Sequence, residues 1–217
     1  MFVEVDPDAK LFVQDWGRGR PFVFIHGWPL SHRAFEYQMV PLSRAGYRVI
    51  GRDLRGFGQS DKPWQGNDYD TWAEDIRKVI EKLDLHDVLL AGFSMGGAIV
   101  MHYAALQEDI RVTKLALMGA AGPLFSRRAD NPYGIPIQEI EETLAAALQD
   151  RSKLARDLGL VNFHTTASPQ FYRCLEGIRM EASPYATVRG LEELRDQDLR
   201  GELKDIKIPT RIFHGVH

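Results

Sequence analysis

The stretch Val88-Leu89-Leu90-Ala91-Gly92-Phe93-Ser94-Met95-Gly96-Gly97 decides the fold. Its first four residues are apolar without alternation, the mark of a strand buried on both faces of a parallel sheet. Small residues then turn the chain, and Ala98, Ile99, Val100, Tyr103 and Ala104 carry it on as a helix. Ser94 stands at the turn, in the pattern Gly92-x-Ser94-x-Gly96. Holding a serine hydroxyl clear of the backbone needs a strained, sharply turned conformation, and a side chain at either flanking glycine would strike the neighbouring strand or helix. Where a strand ends and a helix begins, backbone N–H groups and the helix dipole favour negative charge. The arrangement suits a nucleophile whose attack creates an oxyanion.

Outward from this stretch, strand, glycine loop and helix recur. Leu11 to Asp15 and Pro21 to His26 read as strands joined by a turn at Gly17-Arg18-Gly19. The second contains Phe22-Val23-Phe24-Ile25, a run that belongs in a sheet's interior, and it ends in His26-Gly27-Trp28-Pro29. Ser31 is placed to cap a helix through Phe35, Met39, Val40 and Leu42. Tyr47 to Arg52 is a further strand leading into Asp53-Leu54-Arg55-Gly56-Phe57-Gly58-Gln59-Ser60. That loop lacks both the Lys-Ser/Thr of a phosphate-binding loop and the G-x-G-x-x-G of a dinucleotide fold, so it reads as a structural turn. The next helix is expected to start at Asp70 or Thr71, with Glu74 completing a capping box and Trp72, Ile76, Val79, Ile80 and Leu83 as its buried stripe.

After the Ser94 helix, Lys114 to Met118 reads as a strand ending in Gly119-Ala120-Ala121-Gly122. Alternation then lapses into helical pattern with breaks at Pro132, Pro136, Pro169 and Pro184. The expected organisation is a core over residues 1–122, a helical cap over 123–199, and a return to the core over 200–217 with a last strand around Ile208 to His214. Glu139, Glu141, Glu142 and the charges from Glu192 through Arg200 read as solvated helix faces. The cap aromatics Phe125, Tyr133, Phe163, Phe171 and Tyr172 either line an apolar pocket facing Ser94 or form the cap's own core.

A chain of 217 residues, 44% of them hydrophobic, can bury one sizeable core. The net charge of −3 with scattered Lys and Arg argues against nucleic-acid or polybasic membrane binding. The first six residues already include Glu4 and Asp6 and show no secretory pattern. The longest apolar run, about Leu115 to Phe125, is too short and glycine-rich to span a bilayer. A cytoplasmic protein is expected. The single Cys174 reads as a packed thiol, no metal-ligand spacing is visible, and no metal or organic cofactor is implied.

Strands alternating with helices imply a mostly parallel, doubly wound α/β sheet with its ligand site at the strands' carboxyl ends. The motifs His26-Gly27-Trp28-Pro29, Asp53-x-Arg55-Gly56-x-Gly58-x-Ser60, Gly92-Phe93-Ser94-Met95-Gly96-Gly97 and Ile208-Pro209-Thr210 with His214-Gly215 occur in order along the chain. In this the chain resembles the α/β-hydrolase superfamily, and most the serine carboxylesterases grouped with cofactor-free haloperoxidases, or perhydrolases. The resemblance implies Ser94 as nucleophile and the backbone N–H groups of Trp28 and Met95 as oxyanion donors, each contributing on the order of 3 kcal/mol to transition-state stabilisation. It implies a small ester as substrate, with Phe125, Phe163 and Pro29 as pocket residues. Trp28-Pro29 adds peracid formation, in which hydrogen peroxide replaces water. Ser94 argues against dehalogenation and epoxide opening, whose elbows carry an aspartate. His26 suits a loop-bracing hydrogen bond, and His102 falls in the helix after the elbow as a packed or surface residue.

In that superfamily the triad acid follows shortly after the strand ending in His-Gly, and the histidine comes after one more strand. Here Val216 and His217 follow Gly215, and acid, histidine, last strand and last helix have no counterpart. No spacing among Asp130, Asp196, Asp198 or Asp205 with His164 or His217 supports a substitute. The expectation is the N-terminal part of a longer enzyme, or one completed by a second chain, with an unpaired edge strand at the cut. The competing reading from another class is a non-catalytic, hydrolase-like receptor or interaction module that lacks a complete triad.

Overall fold

The computed structural model describes residues 1–106, 110–161, 163 and 167–215. Among them, strands β1 (Phe2–Asp6), β2 (Ala9–Trp16), β3 (Pro21–Ile25), β4 (Arg48–Arg52), β5 (Val88–Phe93), β6 (Val112–Met118) and β7 (Thr210–Phe213) form one sheet in the order β1-β2-β4-β3-β5-β6-β7. From β4 to β7 every pairing is parallel, while β1 and β2 are antiparallel to their neighbours. The Gly17–Gly19 turn joins two strands that do not touch, because β4 inserts between β2 and β3.

The sheet is covered on both faces, which explains why β3 and β5 are apolar without alternation. Val23, Ile25 and Leu90 pack on one side with helices α2 (Tyr69–Lys82) and α3 (Met95–Leu106). Phe24 and Ala91 pack on the other with Phe35 and with Met39 of α1 (Glu36–Arg44). Trp72, Ile76, Val79 and Ile80 are buried along α2. The cap of that helix is Asp68, which accepts from the Thr71 N–H at 2.8 Å, rather than Asp70 or Thr71. Glu74 is held by Arg77 instead of closing a capping box. Ser31 precedes a 3-10 turn, His32–Phe35, and its buried hydroxyl does not cap it.

Helices α4 (Ile137–Gln149), α5 (Arg151–Val161), α6 (Pro169–Met180) and α7 (Pro184–Asp196) fill the interval between β6 and β7. The ends of this excursion meet where Leu199 N–H donates to the Pro123 carbonyl at 2.8 Å. The excursion's charges are not all solvated: Glu193 is buried, and its carboxylate accepts from the Tyr69 N–H at 3.2 Å and the Gln197 amide at 2.9 Å. Its pKa is raised by burial. Strand β7 lies at the sheet's edge, with Ile212 and Phe213 exposed. Beside it an apolar cavity of about 670 Å³ is lined by Phe22, Phe24, Leu42, Leu89, Met118 and Phe213. No helix among the described residues is long and apolar enough to cross a membrane.

Candidate active site

Ser94 follows the last residue of β5 and precedes the first of α3, with φ at +53°, a left-handed conformation that a residue with a Cβ adopts at a cost of about 1–2 kcal/mol. Its neighbours hold it there. The Ser94 N–H donates to the Met118 carbonyl at 3.1 Å, and the Ser94 carbonyl accepts from Gly97 and Ala121 at 2.9 Å each. The flanking glycines are required by contact: a Cβ at Gly92 would lie 2.3 Å from the Gly96 carbonyl oxygen, and one at Gly96 would lie 2.3 Å from that of Ile25. The turn therefore sits directly on the carboxyl end of β3. Ser94 is half-buried and Phe93 is exposed, so the turn reaches the surface at the sheet's edge of loops.

The loop after β3 is pressed against the same serine. A Cβ at Gly27 would lie 2.8 Å from Ser94 Cβ and 2.9 Å from the Phe93 carbonyl oxygen. Trp28 follows, half-buried, and Pro29 is buried. Among the described residues neither the Trp28 nor the Met95 N–H donates to a loop, turn or cap carbonyl. Ser94, Met95 and the loop of Gly27 and Trp28 are thus brought together by adjacent parallel strands.

His26 braces this loop. The Leu54 N–H donates to its Nε2 at 3.0 Å, which leaves the proton on Nδ1 to donate to the Gly27 carbonyl at 2.9 Å. Burial drives the imidazole pKa down to about 4. The unfolded chain takes up this proton below about pH 6.5, the folded chain only near 4, so folding stability falls as pH drops through that window. We expect the residue to remove about 2 kcal/mol between pH 7 and 5. In His26→Gln, whose side-chain oxygen can still accept from Leu54, urea midpoints should lose that share of the acid sensitivity. An unchanged pH slope would refute this assignment.

The glycine-rich loop after β4 is a structural turn. Asp53 is buried, and its carboxylate accepts from the His32 N–H at 2.6 Å, His32 Nδ1 at 2.8 Å and the Gln59 N–H at 2.8 Å. Burial alone would raise its pKa, but the His32 contacts together with the nearby His26 outweigh this and hold it low. Ser60 Oγ donates to the Asp53 carbonyl at 2.8 Å and accepts from the Phe12 N–H at 2.9 Å, tying the loop to β2.

The remaining sequence candidates have contacts of their own. Phe125 packs against the main core, while the Phe163 ring meets Phe171 and Tyr172 of α6 at 5.4 and 6.3 Å. Tyr133 is almost fully exposed. Among the described residues Ser94 Oγ has no histidine or carboxylate partner: His32 is bonded to Asp53, His86 to Asp84, His102 to Asp70 and Glu202, and His214 to Gly215. Asp130 and Asp198 are paired with Arg200, and Asp196 with Arg195. His164 and His217 lie outside the described residues. Cys174 is half-buried, with Arg33 4.0 Å away. No group of three or more metal-ligating side chains is poised for an ion among the described residues.

Sequence reasoning missed one contributor. Helix α7 lies against the Trp28 loop: Trp28 Nε1 donates to the Thr187 carbonyl at 2.8 Å, and Gly190 abuts the indole. The signal was an isolated glycine inside a helical pattern, which marks close packing.

A family model described as alpha/beta hydrolase fold matches residues 20–172. The AB hydrolase superfamily protein YisY of Bacillus subtilis (strain 168) is 48% identical over 214 residues, covering 99% of this chain and 80% of that protein. A non-heme haloperoxidase of Rhodococcus erythropolis is 35% identical over 220 residues, with 99% and 80% covered. Among solved structures, an esterase (EaEST) from Exiguobacterium antarcticum superposes with a TM-score of 0.94 at 39% identity, over 97% of this chain and 79% of that one. With the sheet order, the strained turn at Ser94 and these relatives in agreement, the chain belongs to the α/β-hydrolase fold family and to its esterase and non-heme haloperoxidase group.

Proposed function

We propose that this chain carries the nucleophile and oxyanion-binding half of a serine hydrolase acting in the cytoplasm on small carboxylic esters. The observation that carries the reading is Ser94 itself, held half-buried at φ +53° with the backbone of Gly27 packed against its Cβ. Ser94 Oγ attacks the ester carbonyl, and the oxyanion is received by the N–H groups of Trp28 and Met95. Collapse expels the alcohol and leaves an acyl-serine, which water cleaves to the acid. The kinship with a protein named as a non-heme haloperoxidase supports a side reaction in which hydrogen peroxide takes the place of water and a peracid leaves. Pro29 supports it too, since its ring fixes the backbone of the loop that faces the acyl group.

A serine hydroxyl is a weak nucleophile without an adjacent base. The reading therefore includes an acid and a histidine supplied by a continuation beyond residue 217 or by a second chain. Its support is that the relatives are matched over about four-fifths of their own lengths. Incubating the complete natural polypeptide with a fluorophosphonate probe, followed by intact mass and peptide mapping, is expected to give one adduct, on Ser94. No adduct would overturn the esterase reading and leave the non-catalytic module in its place.

A further inference from the structure

Helix α7 is fixed along its length to the body of the protein. The Ser183 N–H at its start donates to the Gly56 carbonyl at 2.8 Å, the Tyr69 N–H reaches Glu193 within it, and Ser126 Oγ donates to the Arg195 carbonyl at 2.7 Å near its end. Between these ties, Thr187 and Gly190 are three residues apart and share one face. Both are buried. The Thr187 carbonyl, which has a second lone pair beyond its helical bond, receives the Trp28 indole N–H. Gly190 meets two residues at once: a Cβ there would lie 2.8 Å from Trp28 Cδ1 and 3.4 Å from Met95 Sδ. Glycine is an unfavourable choice inside a helix, so its presence at this contact needs a reason in packing.

Trp28 and Met95 stand at the ends of two different strands, β3 and β5. We infer that α7 supplies the common support, so that Gly190, by lacking a side chain, and Thr187, through its carbonyl, are positioning residues that set where the two N–H donors sit relative to Ser94. This inference rests on the reading of those two N–H groups as oxyanion donors. A donor displaced by a fraction of an ångström loses its contact with the transition state before it disturbs ground-state binding. A methyl group at residue 190 would lie 2.8 Å from the indole Cδ1, closer than side chains pack, while its 3.4 Å approach to the Met95 thioether is an ordinary contact, so the indole is what must move.

The test uses the complete natural polypeptide with a p-nitrophenyl ester and a trifluoromethyl ketone, whose hydrated or serine-bound form mimics the oxyanion. Gly190→Ala is expected to lower kcat roughly 10-fold or more with KM within about twofold, and to weaken the ketone by the same factor as kcat/KM. Trp28→Phe removes the indole N–H to Thr187 together with the five-membered ring that abuts Gly190, and it should move both quantities in parallel. It decides the matter if the alanine variant does not fold. Variants that unfold at the wild-type temperature yet keep kcat/KM and ketone affinity would overturn the inference, as would a rise in KM at constant kcat. A wild-type protein that neither hydrolyses the ester nor takes up the fluorophosphonate would sink the serine-hydrolase reading itself. A labelled, active wild type with indifferent variants removes only the role of α7.

Discussion

Ser94→Ala, made in the complete natural polypeptide, is expected to lower kcat for a p-nitrophenyl ester by at least about 10⁴-fold and to abolish fluorophosphonate labelling. The loss should be chemical and not structural. What holds residue 94 in place is main chain: its N–H is bonded to Met118, and its carbonyl to Gly97 and Ala121. An alanine keeps all of these and the Cβ that Gly27 accommodates. Circular dichroism and thermal midpoint should therefore match the wild type while turnover is lost. Residual activity of more than a few per cent would place the chemistry on another residue.

Arg55→Met is expected to produce the largest loss of stability, about 3–5 kcal/mol. The Arg55 guanidinium is buried and grips the fully buried Asp75 with Nε to Oδ2 at 3.1 Å and Nη2 to Oδ1 at 2.9 Å, while Asp6 closes the cluster from β1. Removing the cation strands a carboxylate in the core between α2 and the glycine-rich loop. Methionine fills the space of the arginine stem but supplies no donor. For a chain of this size the thermal midpoint should fall by roughly 6–20 °C. Arg77→Met is the matched control, since its pairs with Glu74 and Glu81 lie half-exposed at the surface, where such pairs are worth less than about 1 kcal/mol. Equal effects of the two substitutions would show that burial does not govern this pair.

Much of the site was legible because its constraints are local. Gly92-x-Ser94-x-Gly96 names a turn in which two positions have no room for a side chain, and the contacts of 2.3 Å to the Gly96 and Ile25 carbonyl oxygens are that requirement in three dimensions. The apolar runs of β3 and β5 likewise carry their own message, since only a strand covered on both faces needs it. The helix start at Asp68 was misplaced by two or three residues because Asp68, Asp70 and Thr71 all have capping side chains, and backbone direction chooses among them. Glu193 reads as a solvated charge because nothing in its neighbourhood along the chain reveals Tyr69, 124 residues earlier, as its donor.

The sequence by itself determined the sheet-and-helix alternation, the sharp turn at Ser94 and the glycine loop that carries Trp28, because each depends on residues within a few positions of one another. Tertiary structure alone decided that β4 separates β2 from β3, that Arg55 is buried against Asp75, and that Gly190 of α7 touches both Trp28 and Met95. Those facts join segments 20 to 162 residues apart. Periodicity and turn chemistry act only over neighbouring residues, whereas such contacts are selected by how whole elements pack.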